Sequence, residues 1–147
     1  MLKLILALLL PTAAIAGELT CEVRQVHAAD TFSCQETGQA PRQVKLAAIK
    51  ALDPATPAGQ LGREYLEKRL LGKTVVLSQD QQRPMPQRVW LLLDGKEINR
   101  ELLNQGMARV HPEVSEAEYY MQQNLAIRAG LGLWHPRYDA ETGSLAR

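Results

Sequence analysis

The side chains of this sequence with the most chemistry to offer are two cysteines, three histidines and a cluster of lysines and arginines. Cys21 and Cys34 flank His27-Ala28-Ala29-Asp30, a stretch able to turn the chain, with β-prone residues on both sides. A hairpin there would bring the two thiols face to face, and closing a loop of that size contributes about 3 kcal/mol. A metal or redox site built on cysteine would want a Cys-x-x-Cys spacing, which is absent. His27, His111 and His135 are isolated, and none has the His-x-x-x-His partner of a zinc site. Residues 42–73 carry Arg42, Lys45, Lys50, Arg63, Lys68, Arg69 and Lys73 against Asp53, Glu64 and Glu67, a local excess of four positive charges. The whole chain carries only +1, too little for a global field that would attract polyanions. Any phosphate chemistry is therefore local to that stretch.

The compartment follows from the first residues. Lys3, the run Leu4 to Leu10 and then Ala14-Ile15-Ala16 have the order of a secretory signal peptide, residues 1–16, with cleavage after Ala16. The run is too short for a membrane-spanning helix of about 20 residues. Glu18-Leu19-Thr20 separates Cys21 from the small residues, so no lipid-attachment cysteine follows. The expected product is exported, periplasmic or secreted, free of the membrane after cleavage, and neutral once Lys3 is gone. In that oxidising setting a Cys21–Cys34 disulfide is the default. The 147 residues fit one domain, and 46% apolar with 22% charged side chains excludes disorder.

Strands are expected at 22–26, 31–34 and 43–49, a helix from Pro57 to the stop at Gly72, and strands again at 74–77 and 88–93, the last turning at Asp94-Gly95. Helical periodicity then covers 98–107 and 115–129, with Gly106 and Gly130 as stops. The tail 136–147 is polar and expected to fray. Trp90 and Trp134 lie in apolar surroundings and are expected in the core, and a helix should bury one of Tyr119 and Tyr120 and expose the other. The order β-β-β-α-β-β-α-α predicts a mainly β, α+β fold: a five-stranded Greek-key barrel of the OB type with three helices.

With these elements in place, the chain resembles the staphylococcal nuclease-like (thermonuclease) family over residues 19–135. The resemblance is carried, in order, by Asp30-Thr31-Phe32, Val44 to Ile49, Leu70-Leu71-Gly72-Lys73, Asp94 to Leu103, Gly106-Met107-Ala108 and Gly132-Leu133-Trp134. It implies a domain spanning 17–135 and, in active members, calcium-dependent hydrolysis of DNA and RNA phosphodiesters. That chemistry needs carboxylates for a hard cation, a general base for water, and two cationic donors for the pentavalent phosphate.

Set against the family pattern, the Asp-Gly-Asp-Thr turn reads Ala28-Ala29-Asp30-Thr31, which leaves Asp30 as the metal ligand. The third-strand arginine is Lys45, positive but without the planar fork. The Asp-x-Pro-Glu loop reads Lys50-Ala51-Leu52-Asp53: Lys50 replaces a metal-binding carboxylate and becomes a phosphate contact, while Asp53 takes the place of the glutamate base. An ammonium a few Å from a divalent cation costs on the order of several kcal/mol at an intermediate dielectric, so calcium is expected to bind weakly or not at all. Arg88 best fills the second arginine position, displaced by about 7 Å along its strand but on the same face, and Arg83 is the poorer candidate. Two arrangements of the acid remain open: Lys50 as a built-in cation paired with Asp30, or Asp30 capping the hairpin turn with Lys50 in solvent.

Three functions fit. The first is a nuclease-like domain with little metal-dependent catalysis that binds nucleic acid or another anion. The second is an active nuclease with Asp53 as base and Lys45 and Arg88 on the phosphate. The third is a scaffold for a protein partner.

Overall fold

The computed structural model describes residues 17–79, 85 and 87–147, so the signal segment 1–16 and Arg83 lie outside the described residues. Strands β1 (Glu18–Ala28), β2 (Thr31–Gln35) and β3 (Arg42–Leu46) form a meander, followed by the two-residue β4 (Ile49–Lys50) and helix α1 (Pro57–Leu70). Then come β5 (Thr74–Ser78), β6 (Arg88–Leu93), β7 (Lys96–Glu97), α2 (Ile98–Asn104), β8 (Arg109–Val110) and α3 (Ala117–Ala129), with a 3-10 turn at Gly132–Trp134. Neighbouring strands pair in the order β3-β2-β1-β5-β6, and a parallel β3–β6 pairing closes the ring. The result is the expected five-stranded OB-type barrel with three helices.

The inward face is apolar by alternation, with one slip. Cys21 and Val23 are buried two residues apart, but Val26 follows Val23 by three. The β1–β2 register shifts between Val23 and Gln25, so a bulge restores the inward face. Phe32, Leu46, Leu77 and Leu91 fill the barrel, while Leu66 and Leu70 of α1 and Leu102 and Leu103 of α2 cover it. Trp90 is buried, as expected, and donates to the Tyr119 hydroxyl at 2.7 Å. Tyr119 is buried and Tyr120 exposed, the expected split. Trp134 is only half-buried, with the Arg109 guanidinium over its ring.

Helix ends follow local rules. Thr56 caps α1 by accepting from Gly59 N–H at 3.2 Å, and Pro57 occupies the first turn, where its missing N–H costs nothing. The second helix stops at Asn104, three residues before the expected Met107. Gly106 there is left-handed, with Gly106 N–H donating to Leu103 O and Met107 N–H to Leu102 O. A Cβ on Gly106 would collide with the backbone of Leu131 and Gly132, so the glycine also admits the chain after α3.

Two expectations are corrected. The third strand does not run to Ile49: it ends at Leu46, Ala48 is left-handed (φ 67°), and Ile49–Lys50 leave the barrel to pair with β8. The tail does not fray. Asp139 Oδ1 accepts from Glu141 and Thr142 N–H, Tyr138 bridges Leu145, and Gly143 O accepts from Ala58 N–H at 2.9 Å, seating the tail on the start of α1. That bond satisfies an N–H the helix itself cannot reach.

Cys21 and Cys34 form the expected disulfide, buried between β1 and β2. Replacing both by Ala should lower stability by about 3 kcal/mol in urea unfolding. Helices α1 and α2 are joined by Arg69, whose Nε and Nη2 both donate to Glu101 at 2.9 Å, with the Tyr65 hydroxyl as a third donor. Burial alone would push the Glu101 pKa up, but the Arg69 hydrogen bonds and charge outweigh it and hold the carboxyl below its ordinary 4.5. Arg69→Met should therefore cost about 1–3 kcal/mol at neutral pH. The deficit should be full above pH 4.5 and fade as pH falls through the lowered native value, read from unfolding at several pH values.

Candidate anion-binding site

The site is organised by the break at Ala47–Ala48. Ala47 N–H donates to Val89 O at 2.7 Å, which holds the end of β3 to β6. Asn99, fully buried at the start of α2, donates from Nδ2 to Ala47 O (2.8 Å) and Val89 O (3.1 Å) and accepts from Leu91 N–H (2.9 Å). Arg88 reaches across the same break: its Nη1 donates to Leu46 O at 2.9 Å and lies 3.4 Å from Ile49 O. The backbone carbonyls freed by the bend are thus met by one amide and one guanidinium.

The register then gathers the cations. Lys45 lies directly beside Arg88 across the parallel β3–β6 pair, and it is exposed on the outer face because Val44 and Leu46 point inward. Lys50 follows Ile49, whose carbonyl Arg88 approaches, and its side chain faces solvent. An open groove of about 650 Å³ follows the β3–β6 seam, lined by Arg42, Gln43, Lys45, Gln79, Gln87 and Arg88 among others.

Asp30 sits at the β1–β2 turn beside this break, and its backbone carbonyl accepts from Leu46 N–H at 2.8 Å. Gly62 of α1 makes room for that turn: a Cβ there would press on Ala29 and on the Met107 backbone. Asp30 Oδ1 accepts from the Thr31 hydroxyl (2.9 Å) and Oδ2 from Ala51 N–H (3.1 Å). The Lys50–Asp30 ion pair is not formed. Both carboxylate oxygens are already hydrogen-bonded, and the strand alternation turns Lys50 outward, so of the two arrangements Asp30 adopts the turn cap.

Asp53 stands apart. Its Oδ1 accepts from Ala55 N–H (2.9 Å) and its carbonyl from the Thr56 hydroxyl (2.6 Å), so it shapes the entry to α1. Among the described residues no hydrogen bond or ion pair connects it to Asp30, Lys50 or Arg88, and none engages its Oδ2. Among the described residues no three His, Cys, Asp or Glu side chains converge as a metal-binding group. Asp30 offers one carboxylate, whose oxygens accept from Thr31 and Ala51, and among the described residues no such group includes it, a sparse donor set for a calcium ion, which takes about 6–8 oxygen ligands.

Sequence reasoning missed two residues here. Asn99 lay within the family-like run without an individual role, because nothing in sequence shows that an amide will meet a bend in a distant strand. His111 was set aside as isolated, yet its backbone N–H donates to Ala48 O at 2.9 Å, placing it at the break. Burial first, then the charge of Arg88, hold its imidazole below the ordinary 6.5; Glu113 opposes them, with Lys50 adding a smaller downward push and Asp30 a smaller upward one.

Comparison with known proteins agrees with this architecture. The family model for staphylococcal nuclease homologues matches residues 36–136. A Haemophilus influenzae protein named an uncharacterized endonuclease is 30% identical over 117 residues, which cover 78% of this chain and 66%, just under two thirds, of that protein.

The Asn99 amide gives a direct test of what holds the break. Asn99→Ala strands buried partners in both β6 and the bend and should cost roughly 2–4 kcal/mol in urea unfolding. Asn104→Ala, at the other end of α2, removes a part-buried contact to Gln122 of α3 and an exposed one from Gln105, and should cost less than about 1 kcal/mol.

Proposed function

This chain belongs to the staphylococcal nuclease homologue family, and from that premise we propose that it is an exported nuclease-like domain that binds single-stranded nucleic acid, or a similar anionic polymer, with little or no calcium-dependent cleavage. The observation that carries the reading is Lys45 set beside Arg88 across the β3–β6 seam, along a groove that Arg42 also lines, with Lys50 next in the chain to Ile49, whose carbonyl Arg88 approaches. Cations held by backbone geometry suit phosphodiesters, whose charge is fixed and repeated. Against calcium stand the ammonium of Lys50 at a carboxylate position and the two hydrogen bonds already made by Asp30. In this reading Lys45, Lys50 and Arg88 contact phosphate.

Export rests on the order of residues 1–16, and a buried disulfide is compatible with an oxidising compartment. Among the described residues no helix is long and apolar enough to cross a membrane. The domain is taken as 17–135, with 136–147 as a tail that docks against α1.

An active endonuclease is the second reading, favoured by the name of the Haemophilus relative, an uncharacterized endonuclease, and by the Oδ2 of Asp53, which no hydrogen bond among the described residues engages. There Asp53 would act as base, with Lys45 and Arg88 on the phosphate. One experiment separates the two: the mature protein is mixed with labelled single-stranded DNA, with calcium or with EDTA, while binding and cleavage are both followed. The expected outcome is binding without EDTA-sensitive cleavage. Its logarithm should fall against log salt with a slope near −2, the value for three phosphates on a single strand at about 0.7 each. Lys45→Gln and Lys50→Gln should each weaken binding severalfold and flatten that slope. Calcium-stimulated cleavage abolished by Asp53→Ala would establish the active enzyme instead, and absence of binding would leave the scaffold role.

A further inference from the structure

One titratable group at the break is not used by that reading. His111 follows β8, and the antiparallel β4–β8 register, Ile49 opposite Val110 and Lys50 opposite Arg109, sets it opposite Ala48. Its N–H donates to Ala48 O, the residue lying between the two carbonyls that Arg88 addresses. Its ring Nδ1 accepts from Glu113 N–H at 3.2 Å, so in the neutral ring the proton sits on Nε2. Among the described residues no hydrogen bond engages Nε2, and none joins the ring to Asp30.

The charged groups acting on the ring come from several elements: Arg88 from β6, Lys50 from β4, Asp30 from the β1–β2 turn, and Glu113 from the loop that follows His111 itself. Two cations oppose its protonation and two carboxylates favour it, with partial burial adding to the cations. The balance keeps the imidazole neutral at neutral pH. A phosphodiester seated on Arg88 and Lys50 would change that balance, because its charge offsets the two that repel the proton. Binding and protonation then help each other, a reciprocity that follows from linkage.

We propose that His111 is a fourth, pH-dependent contact of the anion site: it takes up a proton when a phosphodiester chain binds, so the protein holds single-stranded nucleic acid more tightly as the medium becomes acidic. The proposal rests on the anion-binding reading above and adds its regulation. Lys45, Lys50 and Arg88 supply a charge that does not change over the relevant range, and His111 supplies the part that does. Only the histidine, among these four, can make affinity respond to pH near neutrality.

The test uses the mature protein with fluorescein-labelled oligothymidylate lacking a terminal phosphate, in EDTA at fixed ionic strength. Neither phosphodiester nor thymine titrates in the range used, so the probe itself contributes no pH dependence. Between about pH 8 and about pH 5.5, spanning the imidazole range, wild-type affinity should rise about tenfold, the gain from one added charge near a phosphate at a partly screened site. His111→Asn keeps an acceptor for Glu113 N–H but cannot take a proton, and its affinity should change less than about twofold over the same range. His135→Asn should retain the wild-type profile. A wild-type profile in His111→Asn would overturn the proposal while leaving the anion site standing. Absence of binding by the wild type at every pH would remove the underlying reading and this inference together. Should His111→Asn fail to fold, the wild-type imidazole is titrated by NMR with and without oligothymidylate. A midpoint raised by the ligand supports proton uptake, and an unmoved midpoint overturns it.

Discussion

The structure depends on how a strand leaves a barrel without stranding its backbone. A third strand that continued past Leu46 would stay in the sheet; here the chain turns at Ala48 through a left-handed conformation that costs a non-glycine residue about 1–2 kcal/mol. The turn also pulls carbonyls out of the ladder, where each unmet buried group costs a further 1–3 kcal/mol or so. Asn99 answers from α2 and Arg88 from β6, while His111 N–H takes Ala48 O. Three elements far apart in sequence therefore meet at one bend, and α2 is held to the barrel by the amide as well as by Leu102 and Leu103.

The same solution fixes the electrostatics. An arginine tied to main-chain carbonyls has a set position, so the cationic edge it presents beside Lys45 is pre-formed rather than gathered by a ligand. The chain outside residues 42–73 balances their excess charge, which keeps the basic character local. Asp30, the acid at the β1–β2 turn, is spent on Thr31 and Ala51, bracing the hairpin turn against the start of the site loop.

Much of this was legible in the sequence because it obeys local rules. Alternation marked the strands, Thr56-Pro57 and the glycines marked helix ends, and the symmetric placement of Cys21 and Cys34 about a turn marked the disulfide. What was hidden depended on long-range satisfaction of hydrogen bonds. Val44 to Ile49 reads as one continuous strand, since nothing nearby announces that Ala48 will turn left-handed; the cause lies in Asn99, Arg88 and His111. The tail looked free because its composition is polar, yet its partner is the unmet N–H of Ala58. Lys50 and Asp30 were neighbours on the family pattern, but proximity in a pattern says nothing of which hydrogen bonds the carboxylate has already made.

The closing seam of the barrel and the cationic edge are the same two residue pairs, and that coincidence couples them. The β3–β6 ladder consists of the pairs Lys45–Arg88 and Leu46–Val89, the first of which sets like charges side by side. Directly apposed like charges destabilise a strand pair by up to about 1 kcal/mol, so the seam is the place where the barrel closes against repulsion. The bonds from Asn99 and Arg88 to the bend offset that repulsion in the free protein. An anion lying between Lys45 and Arg88 would convert the repulsion into two attractions at the point where closure is weakest. On the anion-binding reading, such a site would gain affinity by relieving a repulsion that the closure of the barrel itself imposes.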